Sequence, residues 1–446
     1  MTNERSATGP HRAWVVAADM GLGHLRAAFP LRDVAAGGVI AAGARNVTSD
    51  FEYALWNRIR RGYNILSRSR RIPLVGPLLS AALNGLEKIE RLYPLRDLSS
   101  PSPQVRLVRR LVLRHGLGDA LLEHIQSKPL PLLTTFYVPA LAADYRDYPG
   151  GIYCVICDAD INRVWAPSRP RHSRIHYCAP CETAVRRLQM YGVPADRITL
   201  TGFPLPKENL GPPDTLDVLK RDMARRLANL DPEGRCRKLH RTHMRELFGA
   251  NVAAAPTQPL RIAFCIGGAG AQVEIAKALL HALRTLLHSR EVIFTISAGT
   301  RRNVAQELET AIRDLGLEAL RDRVLFVVHH TDRNRYFEAF NQAMRTTDVL
   351  WTKPSELSFY AGLGIPLIVA PPIGPHEEGN RRWLHVRHAG LDQEDPAAAA
   401  EWLYDLLHTG TLAEAAWQAF LHCPKMGAFN IERLLFGPPP RHTTPQ

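Results

Sequence analysis

Lys353, Ser355, Glu356, His376, Glu377 and Asn380 crowd the stretch from Asp348 to Asn380. A cation, two carboxylates, an imidazole and neutral hydrogen-bonding groups so close together can hold a charged, hydroxyl-rich ligand. A second set, Gly267-Gly268-Ala269-Gly270-Ala271-Gln272, follows an apolar run. A glycine turn of this kind lets backbone N–H groups approach a phosphate closely. A third, Gly21-Leu-Gly23-His24, follows another apolar run. Its imidazole titrates near neutral pH and can take up a proton. Asp158-Ala-Asp160 adds two carboxylates after a fourth run.

These residues need elements to position them. Val349 to Thr352 is short and apolar, as a buried parallel strand is. Pro354 stops it, and Ser355 suits the N-cap of a helix ending near Gly362 or Gly364. Leu367 to Ala370 reads as the next strand and Gly374 to Asn380 as a polar loop. In an open α/β sheet, ligands sit beyond the carboxyl ends of the strands. A helix N-terminus there, with free N–H groups and a positive dipole end, suits a diphosphate. A plain strand–helix–strand unit with a hydrophilic loop would look the same locally.

The same alternation runs through the chain. Ala13 to Ala18 is a strand, followed by the glycine turn and a helix over Ala27 to Leu31. Val105 to Gln126 reads as one helix, and Pro131 to Val138, Gly151 to Asp158 and Arg174 to Ala179 as strands. In the second half, strands begin at Leu260, Val292 and Val324, with helices over Val273 to Leu287 and Tyr336 to Arg345. A helical tail covers Ala413 to Phe436. Strands alternating with helices predict parallel sheets. We read an α/β chain of two Rossmann-like domains facing across a cleft. The divisions are 1–205, a linker and insertion at 206–258, a second domain at 259–425, and a C-terminal helix and tail at 426–446. Arg221, Arg225, Arg226, Arg235, Arg237 and Lys238 in the linker read as a solvated face.

At 446 residues with 46% hydrophobic content, the chain can fill two cores. The formal charge is +13, which favours anionic partners. Between Phe51 and His115, 13 Lys/Arg stand against four Asp/Glu. There Arg58, Arg60, Arg61, Arg68, Arg70 and Arg71 interleave with Trp56, Tyr63, Ile65, Leu66 and Leu74. That pattern reads as a segment lying on an anionic membrane surface, or as amphipathic helices with solvated arginines. It carries no nucleic-acid-binding signature. The N-terminus lacks an apolar signal core and no apolar run is long enough to span a bilayer. Seven cysteines fit reduced thiols. The expected location is therefore the cytoplasm, peripheral on the inner face of the plasma membrane if the basic segment docks there. Cys154-x-x-Cys157 and Cys178-x-x-Cys181 have zinc-site spacing. Side chains three apart on one strand face opposite ways, which argues against a shared metal.

Four stretches together resemble the GT-B glycosyltransferases, most of all monogalactosyldiacylglycerol synthases and the lipid-linked GlcNAc transferase of peptidoglycan synthesis. They are Trp14 to Leu31, Ile152 to Leu205 with its closing Thr201-Gly202-Phe203-Pro204, Ile262 to Gln272, and Asp348 to Arg382. The resemblance implies a metal-independent, inverting transfer from a nucleotide sugar, in all expectation UDP-linked, to a lipid or lipid-linked acceptor. It implies His24 as general base, with Asp158 beside it, and Gly21, Gly23, Asp160 and Trp165 on the acceptor side. It implies that Gly268, Ala269, Gly270, Lys353, Ser355, Glu356, His376, Glu377 and Asn380 hold the nucleotide sugar. The family's ribose-binding glutamate, five residues before Gly364, is Phe359 here, and Glu356 is the substitute. Two other outcomes fit the same fold: an epimerase acting on nucleotide sugars, or a non-catalytic binder of anionic lipid. All of these require two facing sheets with Glu377 at the gap. A single continuous core, or Glu377 turned away from the gap, would contradict them.

Overall fold

The computed structural model describes residues 12–58, 88–249, 259–267, 270 and 272–437. The described strands form two separate parallel sheets of six. The first holds β1 (Trp14–Ala18), β2 (Ile40–Ala42), β3 (Leu132–Thr134), β4 (Ile152–Val155), β5 (Ile175–Ala179) and β6 (Ile198–Leu200), in the order β2-β1-β3-β4-β5-β6. The second holds β7 (Leu260–Cys265), β8 (Val292–Gly299), β9 (Leu325–His329), β10 (Val349–Thr352), β11 (Leu367–Val369) and β12 (Gly390–Asp392), in the order β12-β11-β10-β7-β8-β9. In each sheet the order reverses beside the first strand, between β1 and β3 and between β7 and β10. Connections leave the sheet in opposite directions at such a switch point and open a crevice there.

Strands buried on both faces read as continuous apolar runs, and Leu350-Trp351 and Phe264-Cys265 are such runs in the middle of the second sheet. The sheets never pair with each other, but the apolar core runs on from one domain into the other, against the expectation of two separate cores; the two-domain reading rests on the two sheets and the cleft between them. Phe203 stacks on Phe359 with ring centroids 4.9 Å apart, and Phe29 meets Phe337 at 5.2 Å. An apolar seam therefore closes the back of the cleft between the two domains. The helix Gly427–Phe436 returns to the first domain, where Asn430 donates to the Thr201 carbonyl at 2.9 Å.

Several expected elements differ. Val105 to Gln126 is two helices, Pro103–His115 and Asp119–Gln126, because Gly116 and Gly118 adopt positive φ between them. The segment Glu356–Leu363 is a 3-10 helix, capped by left-handed Gly364 and buried almost all round. Ser355 stands at its N-cap without a side-chain capping bond. The polar loop is the first turn of a helix, Pro375–Val386, with Pro375 in a position that needs no N–H donor. The linker cluster is a solvated face only in part: Arg221, Arg235 and Lys238 are exposed, while the other three are not. Arg226 is buried and donates to the Thr347 and Leu363 carbonyls, Arg225 pairs with buried Asp348, and Arg237 pairs with buried Asp231. The contacts of Arg225 and Arg226 lay the helix Asp217–Leu230 against the second domain.

Candidate functional site in the interdomain cleft

A cleft of about 430 Å³ opens between the carboxyl ends of the two sheets. The first domain supplies Asp19 to His24 and Arg26 after β1, and Cys157 and Asp158 after β4. The second supplies Gly267 and Gln272 after β7, Thr300 and Arg301 after β8, Lys353, Ser355 and Glu356 after β10, and His376 and Glu377 after β11. Glu377 thus faces the gap.

His24 begins the short helix Gly23–Ala28. Its ring meets Phe136 edge-on at 4.9 Å and lies 6.2 Å from Trp165. Burial pulls its pKa below the ordinary histidine range, and the nearby carboxylate of Asp158 opposes that pull. The imidazole is therefore neutral at pH 7, the form a base requires. Its Nδ1 is buried. Asp158 accepts from Asn380 Nδ2 at 2.8 Å.

Glu377 is buried, pairs with Lys353, and accepts from the Ile373 N–H at 2.6 Å. Burial alone would raise its pKa, but Lys353 and His376 outweigh that and hold it below the usual carboxylate range. A charged carboxylate and an ammonium thus sit together on the second domain's rim, with half-buried His376 beside them in the same helical turn. Glu356 reaches the other way. Its Oε1 accepts from Arg26 Nε at 3.1 Å, and a Cβ at Gly23 would stand 3.1 Å from its Oε2. A side chain at Gly23 would press on this carboxylate and force it to give by a few tenths of an ångström. Gly21 takes φ +120° and lines the cleft.

Of the second glycine turn, Gly268 and Ala269 lie outside the described residues. Gly267 lines the cleft and donates its N–H to Gln272 Oε1 at 2.9 Å, while Gly270 donates to the Gly267 carbonyl at 2.7 Å with φ +73°.

Three residues expected to contact ligands are held by the protein instead, and Phe359 packs in the seam. Asn380 is fully buried and spends its amide between the domains: it receives the Ala159 N–H at 2.7 Å and donates to Asp158 and, at 3.1 Å, to the Pro354 carbonyl. Asp160 is held by Nε and Nη2 of Arg187 at 2.7 and 2.8 Å. Trp165 is buried in an aromatic wall with Phe136 and Tyr137 behind His24. Phe359 faces the apolar seam, against Phe203 and Trp383, so its position offers no contact to a ribose. In each case the partner lies more than 20 positions away in the chain and is invisible in local spacing.

The sequence reading missed Asp19, Arg26, Gln272, Arg301 and Arg333. Arg333 bridges the cleft to Asp19 at 2.7 Å. The one available signal was Arg26, a charge inside an otherwise apolar helical turn beside His24. Cys154, Cys157, Cys178 and Cys181 are buried thiols, with pKa values raised first by burial. Among the described residues the group whose ligand atoms converge is Cys236, His240 and Glu414, away from the cleft. Of the basic segment, residues 59–87 lie outside the described residues. The adjoining helix Pro103–His115 exposes Leu107 and Leu113 among Arg106, Arg109, Arg110 and Arg114. No helix among the described residues is long and apolar enough to cross a membrane.

A family described as Domain of unknown function (DUF6938) matches residues 252–324 and 316–430. No curated protein matches the chain. Among solved structures, the chain is similar to MurG of Acinetobacter baumannii, at 13% identity over 95% of this chain and 99% of that one, with a TM-score of 0.47. It is similar to the UDP-GlcNAc 2-epimerase of Neisseria meningitidis bound to UDP-GlcNAc, at 14% identity over 95% and 99%, TM-score 0.46. It is also similar to the glycosyltransferase SnogD of Streptomyces nogalater, at 14% identity over 96% and 100%, TM-score 0.44. The fold rests on the chain's own features: two parallel sheets, their reversed strand orders, and a cleft bounded by the carboxyl ends of both.

Proposed function

We propose that this chain is a nucleotide-sugar-dependent glycosyltransferase that inverts the anomeric centre and passes the sugar to a lipid or lipid-linked hydroxyl. The observation that carries the reading is a neutral, desolvated His24 on one wall of a cleft. The opposite wall holds a glycine turn, Lys353, His376 and Glu377. The diphosphate of a UDP-sugar lies near Lys353, along the turn at Ser355. His376 and Glu377 meet sugar hydroxyls. His24 takes the proton from the acceptor hydroxyl. The oxygen then bonds to the anomeric carbon as the carbon–oxygen bond to the diphosphate breaks on the opposite face. The charge left on the diphosphate is met by fixed dipoles and Lys353 rather than by a catalytic metal. The exposed Arg and Leu residues of Pro103–His115 support docking on an anionic membrane, each basic residue there contributing about 1 kcal/mol.

The test has two parts. UDP and UDP-sugars should raise the melting temperature, as ligands of the native state do. Transfer to lipid acceptors should vanish in His24→Ala while UDP still binds. A His24→Ala variant with unchanged turnover removes the base. Interconversion of sugar epimers without any acceptor would put the epimerase reading in its place.

A further inference from the structure

Arg26 belongs to the first domain but ends inside the second. Its Nε donates to Glu356 Oε1 at 3.1 Å and its Nη2 to the Tyr336 hydroxyl at 3.3 Å. The guanidinium carbon stands 4.1 Å from the centre of the Phe340 ring, with Phe337 at 5.2 Å and Tyr360 at 5.9 Å. Tyr336 is itself fixed by Ser297 Oγ at 2.8 Å. The side chain is only 4% exposed. A guanidinium so desolvated is held by its planar fork and by the rings.

The held group is Glu356. One oxygen is taken by Arg26; the other lies against Gly23, next to His24. That is the first domain's side of the cleft, beside the proton-accepting residue. A ribose would lie a whole diphosphate away from the reacting carbon. The hydroxyls within reach of Glu356 belong to the transferred sugar.

We propose that Glu356 is the specificity carboxylate for hydroxyls of the donor hexose, and that Arg26 is the positioning residue that orients it from the opposite domain. This rests on the nucleotide-sugar reading above. A carboxylate with one oxygen fixed presents its remaining lone pairs in set directions, so it can distinguish sugars by where their hydroxyls point. The hexose site is complete only when both domains are in contact.

The experiment measures Kd by calorimetry for UDP and for UDP-glucose, UDP-galactose and UDP-GlcNAc, following the sugar that wild type binds most tightly. Glu356→Gln keeps the shape, and Arg26→Lys keeps the charge but loses the fork. Each should weaken the UDP-sugar about tenfold, the effect of losing one charge-assisted hydrogen bond, and leave UDP unchanged. The double variant should bind no more weakly than Glu356→Gln alone, because Arg26 acts through Glu356. Equal weakening of UDP and UDP-sugar would place Glu356 on the ribose and overturn the inference. So would unchanged UDP-sugar binding in both folded variants, which would make the pair merely structural. Wild type that binds no UDP overturns the nucleotide-sugar reading itself and this inference with it.

Discussion

Asn380→Asp is the sharpest probe of how the two domains are joined. The substitution is isosteric and keeps the oxygen that accepts the Ala159 N–H at 2.7 Å. It replaces the amide nitrogen, which now donates to Asp158 at 2.8 Å and to the Pro354 carbonyl at 3.1 Å, with an oxygen. Two attractive contacts become repulsive in a fully buried position. Two full charges about 3 Å apart at an effective dielectric of about 20 repel by about 5 kcal/mol. The introduced carboxyl escapes by taking up a proton, after which it can again donate to Asp158. From an ordinary pKa of about 3.9, protonation at pH 7 costs about 4 kcal/mol, and this sets the ceiling. The folded-state pKa of the new group is raised above its unfolded value. Its penalty is therefore present above the unfolded pKa and relieved as pH falls. The expected loss of stability is about 4 kcal/mol at pH 7, shrinking by about 1.4 kcal/mol per pH unit toward pH 4. Urea denaturation of both proteins at pH 5, 6 and 7 measures it. A difference under 1 kcal/mol at pH 7, or one that does not change with pH, would refute the interdomain role of Asn380.

Lys353→Met should cost about 3–5 kcal/mol by leaving the buried Glu377 carboxylate without its cation; adding Glu377→Gln should restore most of it in the same denaturation assay. Gly23→Ala should cost about 1–3 kcal/mol by pressing on Glu356, which Arg26 holds in place, and a Glu356→Ala background should abolish the cost. Asp158→Asn should lower the His24 pKa further by removing the charge that opposes burial, read from the imidazole proton shift by NMR. Because the folded-state pKa of His24 is depressed, its contribution to stability is present above the unfolded value of about 6.5 and lost as pH falls below it. A His24→Phe variant should flatten the part of the stability profile that falls away below about pH 6.5.

The sequence alone determined the alternation of strand and helix, hence parallel sheets, and it placed a glycine turn after β1 and another after β7. These features are local: apolar runs, helix stops and turns involve residues within a few positions of each other. It also picked out His24, Asp158, Lys353, Glu356, His376 and Glu377, all of which line the cleft or face it, because polar groups massed after a strand stand out in one dimension. Tertiary structure alone decided what each group is free to do. Asn380 and Asp160 look like ligands in sequence but are taken by Asp158, Ala159 and Arg187. Arg26 looks like an ordinary helical charge but pairs with a carboxylate 330 positions away. A polar side chain binds whichever partner the fold brings within about 3 Å, and the contacts between the two sheets' domains are made by segments far apart in the chain.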